Sequence, residues 1–164
     1  SIVVPIYAQA DRSYMAFCFI ALARDKYTNK VPLKPGAREF LVWLRQQGIR
    51  TGIASSNGIE LVETVLKAQG IQEYLESVHT CCEVPKGKPA PDIYLLVAET
   101  LGVKPEECLV FEDVPMGILA GKNAGMRVCA VEDTFSASQR EEKKELADYY
   151  IESYDEIPRE RMQP

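Results

Sequence analysis

Histidine is almost missing from this 164-residue chain. The single one, His79, has no nearby partner in sequence, so no Ser–His–Asp triad is readable and a structural or exposed role is expected for it. Cysteine is sparse: Cys18, Cys81, Cys82, Cys108 and Cys129 are odd in number and show no CxxC spacing. That excludes a structural zinc site of ordinary spacing and points to a reducing, cytoplasmic setting. Cys108 and Cys129 lie in apolar runs, where a thiol behaves as a small hydrophobe. No apolar run is long enough to span a membrane. The opening SIVVPIYAQADRS lacks the basic and long apolar regions of a signal peptide. Positive charge is not in excess; a net charge of −5 argues against a general nucleic-acid or acidic-membrane surface. No internal repeat or low-complexity tract occurs, and nothing indicates an oligomeric state.

What is present suits one globular domain, with 46% apolar and 26% charged residues. From residue 31 onward, helical and strand patterns alternate. The spacing predicts a loop over 31–36, then a helix from Ala37 to Gln47 with Phe40, Leu41 and Leu44 on one face. A buried strand is expected over 49–55, then a turn at Ser56-Asn57-Gly58. A helix carrying Leu61, Val65 and Leu66 follows, closed by Gly70. A short strand lies around Val78. The breaker-rich loop 85–92 leads into a helix from Asp92 to Leu101. Strands at 109–112 and 127–131 flank a helix from Met116 to Ala124. A charged helix is read over 136–148, with its QREEKKE run as solvated surface. The edge strand Tyr149–Ile151 follows, and Tyr149, Tyr150 and Tyr154 are read as exposed. Such alternation implies right-handed βαβ units and a parallel sheet.

Three polar sites fall at strand ends. Residues 108–125, CLVFEDVPMGILAGKNAG, drive an apolar strand straight into Glu112 and Asp113. Open parallel sheets bind ligands at that edge. Buried acids there need a cation, and a hard divalent one such as Mg2+ takes oxygen ligands. Simple capping of the next helix is an equal alternative. Ser55-Ser56-Asn57, directly after a strand, offers hydroxyls and free N–H groups to an anion, or merely caps a helix. Lys88, in the stiff GKPAPD loop, is a point charge suited to phosphate, or simply solvated. A hydroxyl, a lysine and two acids at strand ends of one sheet form the inventory that phosphoryl transfer requires.

The segments IASSN (53–57), GKPAPD (87–92) and FEDVPMGILAGKNAGM (111–126), with PLKPGAREFL (32–41), resemble the haloacid dehalogenase-like hydrolases. The likeness is to the branch of β-phosphoglucomutase and sugar-phosphate phosphatases, and covers residues 31–157. It implies a three-layer, Rossmann-like α/β core with a parallel sheet, its cap domain absent or reduced to an N-terminal helix. It further implies a Mg2+-dependent phosphatase or phosphomutase acting on a small phosphorylated metabolite through an aspartyl-phosphate. Ser55 and Lys88 would be catalytic, and Ser55, Ser56, Asn57 and Lys88 would bind phosphate or substrate. Glu112 and Asp113 would hold the metal, Asp113 the surer ligand.

One element of the resemblance is absent. The family's first strand ends in a DxD motif that supplies the nucleophile and the general acid/base, and no DxD occurs in these residues. If Ile2 to Tyr7 is that strand, Ala8 and Ala10 stand near the acid positions, and Asp11 could not fill both roles. Residues 1–30 are therefore read as a separate N-terminal segment, with an amphipathic helix from Tyr14 to Tyr27, and 31–164 as the core. A central strand cannot be left out without stranding backbone groups. Either Ile2–Tyr7 occupies that slot or residues outside this sequence do, and an incomplete sequence or an altered N-terminus is expected rather than a naturally inactive relative. A phosphate-binding protein without turnover is the alternative function. A receiver-type signalling domain is disfavoured, because there the acids come first and the lysine last.

Overall fold

The computed structural model describes residues 2–3 and 32–157. Six parallel strands form one sheet in the order β3-β2-β1-β4-β5-β6. They are β1 (Ile2–Val3), β2 (Thr51–Ser55), β3 (Ser77–Thr80), β4 (Leu109–Glu112), β5 (Arg127–Val131) and β6 (Tyr149–Ile151). The helices are α1 (Ala37–Gln46), α2 (Ile59–Ala68), α3 (Asp92–Leu101), α4 (Pro115–Asn123) and α5 (Arg140–Leu146). β1 sits in the middle: Ile2 pairs with Thr51 and Leu109, and Val3 with Gly52 and Val110. Asp11, Ala8, Ala10 and the expected helix from Tyr14 to Tyr27 lie outside the described residues, as does most of the segment 1–30.

Strand alternation explains the three layers. Successive residues point to opposite faces, so a strand buried on both sides is apolar throughout. Phe111, Cys129 and Val131 join Phe40, Leu41, Leu44, Val62 and Leu66 in one core, under α1 and α2. Val110, Val128 and Ala130 join Ile93, Tyr94, Val97 and Ile118 in the other, under α3 and α4. In α1 the buried residues Ala37, Phe40, Leu41 and Leu44 keep the helical spacing of an amphipathic face. Gly102 ends α3 in the left-handed region, at φ 64°, where a Cβ is disfavoured.

Three expectations need correction. The predicted helix over 136–148 is a 3-10 turn at Ala137–Gln139 followed by α5, which stops at Leu146. Ser136 precedes that turn without a side-chain capping bond, and its hydroxyl donates to Asp113 O at 2.6 Å. The QREEKKE run is not all solvated, because Lys143 is fully buried. Tyr154 is buried as well, packed against Phe40 and Phe111. Among the described residues no helix is long and apolar enough to cross a membrane.

Candidate active site

The sheet register brings the polar strand ends together. Gly52 and Val110 flank Val3 at one height. Three residues further on are Ser55 and Asp113, level with each other and two strand spacings apart, about 10 Å. Both lie at the C-terminal edge, on either side of the central strand.

Lys88 spans that gap. Its loop is closed by Ala90 N donating to Gly87 O at 3.0 Å and tied to α4 by Asn123 Nδ2 donating to Pro89 O at 2.9 Å. The ammonium donates to Ala54 O at 3.3 Å, beside Ser55 on β2, and forms a short ion pair with Glu112 Oε1 on β4. It also rests 5.0 Å from the centroid of the Tyr94 ring, a cation–π contact. The Tyr94 hydroxyl donates to the same Glu112 oxygen. With the two side chains 11% and 5% exposed, this pair is largely withdrawn from water.

Glu112 and Asp113, consecutive on an extended chain, turn to different faces. Glu112 lies on the α3–α4 side, across Gly117. Asp113 meets a different lysine, Lys34, whose Nζ is 3.6 Å from Asp113 Oδ2. Lys34 bonds more closely to Asp133 Oδ2, at 2.5 Å, and to Glu132 O, at 3.1 Å. Asp113 Oδ2 is buried and has no hydrogen-bond partner among the described residues. Burial, and then repulsion from Glu112, push the Asp113 carboxyl up to about 7, against the pull of Lys34. Its backbone is fixed: Ser136 Oγ holds Asp113 O, and Lys143 Nζ donates to Ser136 Oγ at 2.9 Å and to Val131 O at 3.3 Å.

Ser55 Oγ accepts the Asn57 N–H at 3.1 Å, an arrangement that leaves its own O–H available to an anionic oxygen. Ser56 and Asn57 are exposed. The Ser56 hydroxyl lies 3.8 Å from Cys81 Sγ, just past the end of β3. His79 is held between Glu83 Oε2 and Thr100 Oγ1, both at 2.8 Å, in a structural bridge.

The structure thus puts Lys88 and Glu112 in contact, with Ser55 and Asp113 flanking them. Sequence reading missed Tyr94, Lys34, Asp133, Ser136 and Lys143. Tyr94 falls inside the helix read from Asp92 to Leu101, and Lys34 in the loop read over 31–36.

The donor set can be tested against a metal. Among the described residues no cluster of three or more His, Cys, Asp or Glu could hold one. Magnesium, however, usually takes only one or two carboxylates and fills its shell with water and phosphate oxygens. Asp113 Oδ2, an acceptor-only oxygen buried without a donor, fits that demand. Glu112 fits less directly, since Oε1 is already shared by Lys88 and Tyr94.

Comparison with known proteins bears on the family and the fold. The family model for haloacid dehalogenase-like hydrolases matches residues 7–125. Hexitol phosphatase B of Escherichia coli K12 is 32% identical over 138 residues, covering 84% of this chain and 61% of that protein. A protein named probable pseudouridine-5'-phosphatase, from Drosophila melanogaster, is 42% identical over 108 residues, covering 62% and 46%. The crystal structure of a mutant CbbY from Rhodobacter sphaeroides, in complex with xylulose-1,5-bisphosphate, superposes with a TM-score of 0.74 at 29% identity. That match covers 85% of this chain and 60% of the other. The chain spans about half to three fifths of the length of the curated relatives it matches.

Proposed function

The chain belongs to the haloacid dehalogenase-like hydrolases, and from that premise we propose that the protein is a Mg2+-dependent phosphatase or phosphomutase acting on a small phosphorylated metabolite. The observation that carries this reading is the reach of Lys88, whose ammonium joins the end of β2 to the end of β4 beside a buried acid. A phosphoryl group at that edge would meet one fixed positive charge and the Ser55 hydroxyl. In a site shielded from water such preorganised donors act strongly on developing negative charge. Lys88 is the residue that offsets the phosphoryl charge, and Glu112 and Tyr94 keep its ammonium in place. Asn57, through its N–H, orients the Ser55 hydroxyl. Asp113 would hold magnesium, with Glu112 as the second carboxylate; the ion, when bound, offsets phosphate charge. Relatives named for hexitol and pseudouridine phosphates support a small organic phosphate as substrate.

Titration of inorganic phosphate into the protein with magnesium present tests the clamp. Lys88→Ala should weaken binding about tenfold or more, since a desolvated charge-assisted contact is lost. Unchanged affinity, in a variant shown to be folded by circular dichroism, would remove Lys88 from the site. Hydrolysis of p-nitrophenyl phosphate separates the two functions. Turnover that needs magnesium supports the enzyme. Phosphate binding without turnover supports the alternative, a binding protein.

A further inference from the structure

Two lysines face the acid pair, and they behave differently. Lys88 is bonded to Glu112, whereas Lys34 stops 3.6 Å short of Asp113 Oδ2, outside hydrogen-bond reach. The cause is on the other side of Lys34. Asp133 Oδ2 takes its ammonium at 2.5 Å and Glu132 O takes it at 3.1 Å. Asp133 is itself fixed, because its second oxygen, Oδ1, accepts the Phe135 N–H at 2.8 Å. All three side chains are buried: Lys34 is 8% exposed, Asp133 5% and Asp113 3%.

From this geometry we propose that Asp133 is a positioning residue: it restrains Lys34 and so keeps the Asp113 carboxylate open to a divalent cation. This rests on the metal role given to Asp113 above. A lysine close to a carboxylate can do one of two things. Bonded to it, the ammonium occupies the oxygen a metal would need. Held slightly away, it moderates the repulsion between Asp113 and Glu112 and leaves the lone pairs of Oδ2 unclaimed. Asp133 enforces the second state. The Asp113 main chain is restrained as well, since Ser136 holds its carbonyl and Lys143 holds Ser136. With the Asp133 charge removed, Asp113 is the one anion among the described residues left in ion-pair reach of Lys34. A shift of about 1 Å would then bring the ammonium into a direct bond.

Asp133→Asn tests this, because an amide keeps an acceptor for Phe135 N–H while losing the charge. Isothermal titration of magnesium, with inorganic phosphate present, should show affinity lowered about tenfold or more, the size expected when an outer partner of a metal ligand is lost. The double variant Lys34→Met/Asp133→Asn removes the competitor together with its restraint, so its affinity should return close to wild type. A crystal structure of Asp133→Asn should show Lys34 Nζ bonded to Asp113. Equal magnesium affinity in wild type and Asp133→Asn overturns the proposal. So does a double variant that melts like wild type yet stays as weak as the single one. Wild-type protein that takes up no divalent cation overturns the metal role of Asp113, and this proposal with it, whereas the first two outcomes leave that role intact.

Discussion

Gly117→Ala puts two effects of opposite sign against each other. Gly117 lies within α4, where alanine is favoured over glycine by about 1 kcal/mol. On propensity alone the substitution stabilises. The structure argues otherwise. A methyl group at position 117 would lie 2.5 Å from Glu112 Oε1 and nearer still to the carboxyl carbon and Oε2. The carboxylate cannot step aside freely, because Lys88 and Tyr94 both hold Oε1. Overpacking costs about 1–3 kcal/mol. A disturbed buried polar group costs about 1–3 kcal/mol more. Against the helical gain, a net loss of about 3 kcal/mol is expected, lowering Tm by roughly 6–12 °C for a chain of this size. Thermal unfolding followed by circular dichroism measures it, and phosphate titration should show a parallel loss of affinity. Gly58→Ala is the control for bulk: nothing lies within 4 Å of its added carbon, so only the weaker N-cap of α2 counts, about 0.5–1 kcal/mol, with phosphate affinity unchanged by crowding. An unchanged or raised Tm for Gly117→Ala, with phosphate affinity intact, would refute the packing of Glu112 against α4.

Tyr94→Phe removes the buried hydroxyl that donates to Glu112 and should cost about 1–3 kcal/mol, read from the urea midpoint. Ser136→Ala strips Asp113 O of its donor and Lys143 of an acceptor; a similar loss is expected, with weaker magnesium binding in the same titration. Acid stability should depend on Glu132, whose carboxyl is held down to about 2, first by the hydrogen bond from Arg140 and also by that from Tyr150. Its unfolded value is near 4.5, so between those limits the unfolded chain binds more protons. The contribution is therefore complete above pH 4.5 and lost as pH falls toward 2. Glu132→Gln should flatten that part of a Tm-against-pH curve and leave the neutral region nearly parallel to wild type.

The alternation of strands and helices was legible because burial writes itself into apolar spacing. Val110 and Phe111, or Cys129 and Ala130, announce a doubly covered strand whatever lies around them. The placement of Ser55, Glu112 and Asp113 was legible for a related reason: polar residues ending such strands reach the edge together, whereas Lys88 comes to it from the loop before α3. The supporting charges were not. Lys34 meets Asp133 across 99 positions, and no periodicity links them. Lys143 sits in a run of charges that looks solvated until α5 packs it over β5. Ser136 has the chemistry of a helix cap, and only the fold diverts its hydroxyl to Asp113. Tyr94 shows its ring to the core, as its spacing says, but the partner of its hydroxyl belongs to another strand.

The position of β1 carries a consequence for how the molecule assembles. Ile2 must find Thr51 on one flank and Leu109 on the other. No hairpin or neighbouring turn can form these pairings, so loops must be closed before they give any return, and folding slows accordingly. During synthesis β1 emerges before both of its neighbours and cannot be flanked on both sides until β4 has followed. Until it is docked, β2 and β4 each present a bare edge to other chains, a known route to aggregation. Refolding yield that falls steeply with protein concentration would be the signature of that interval.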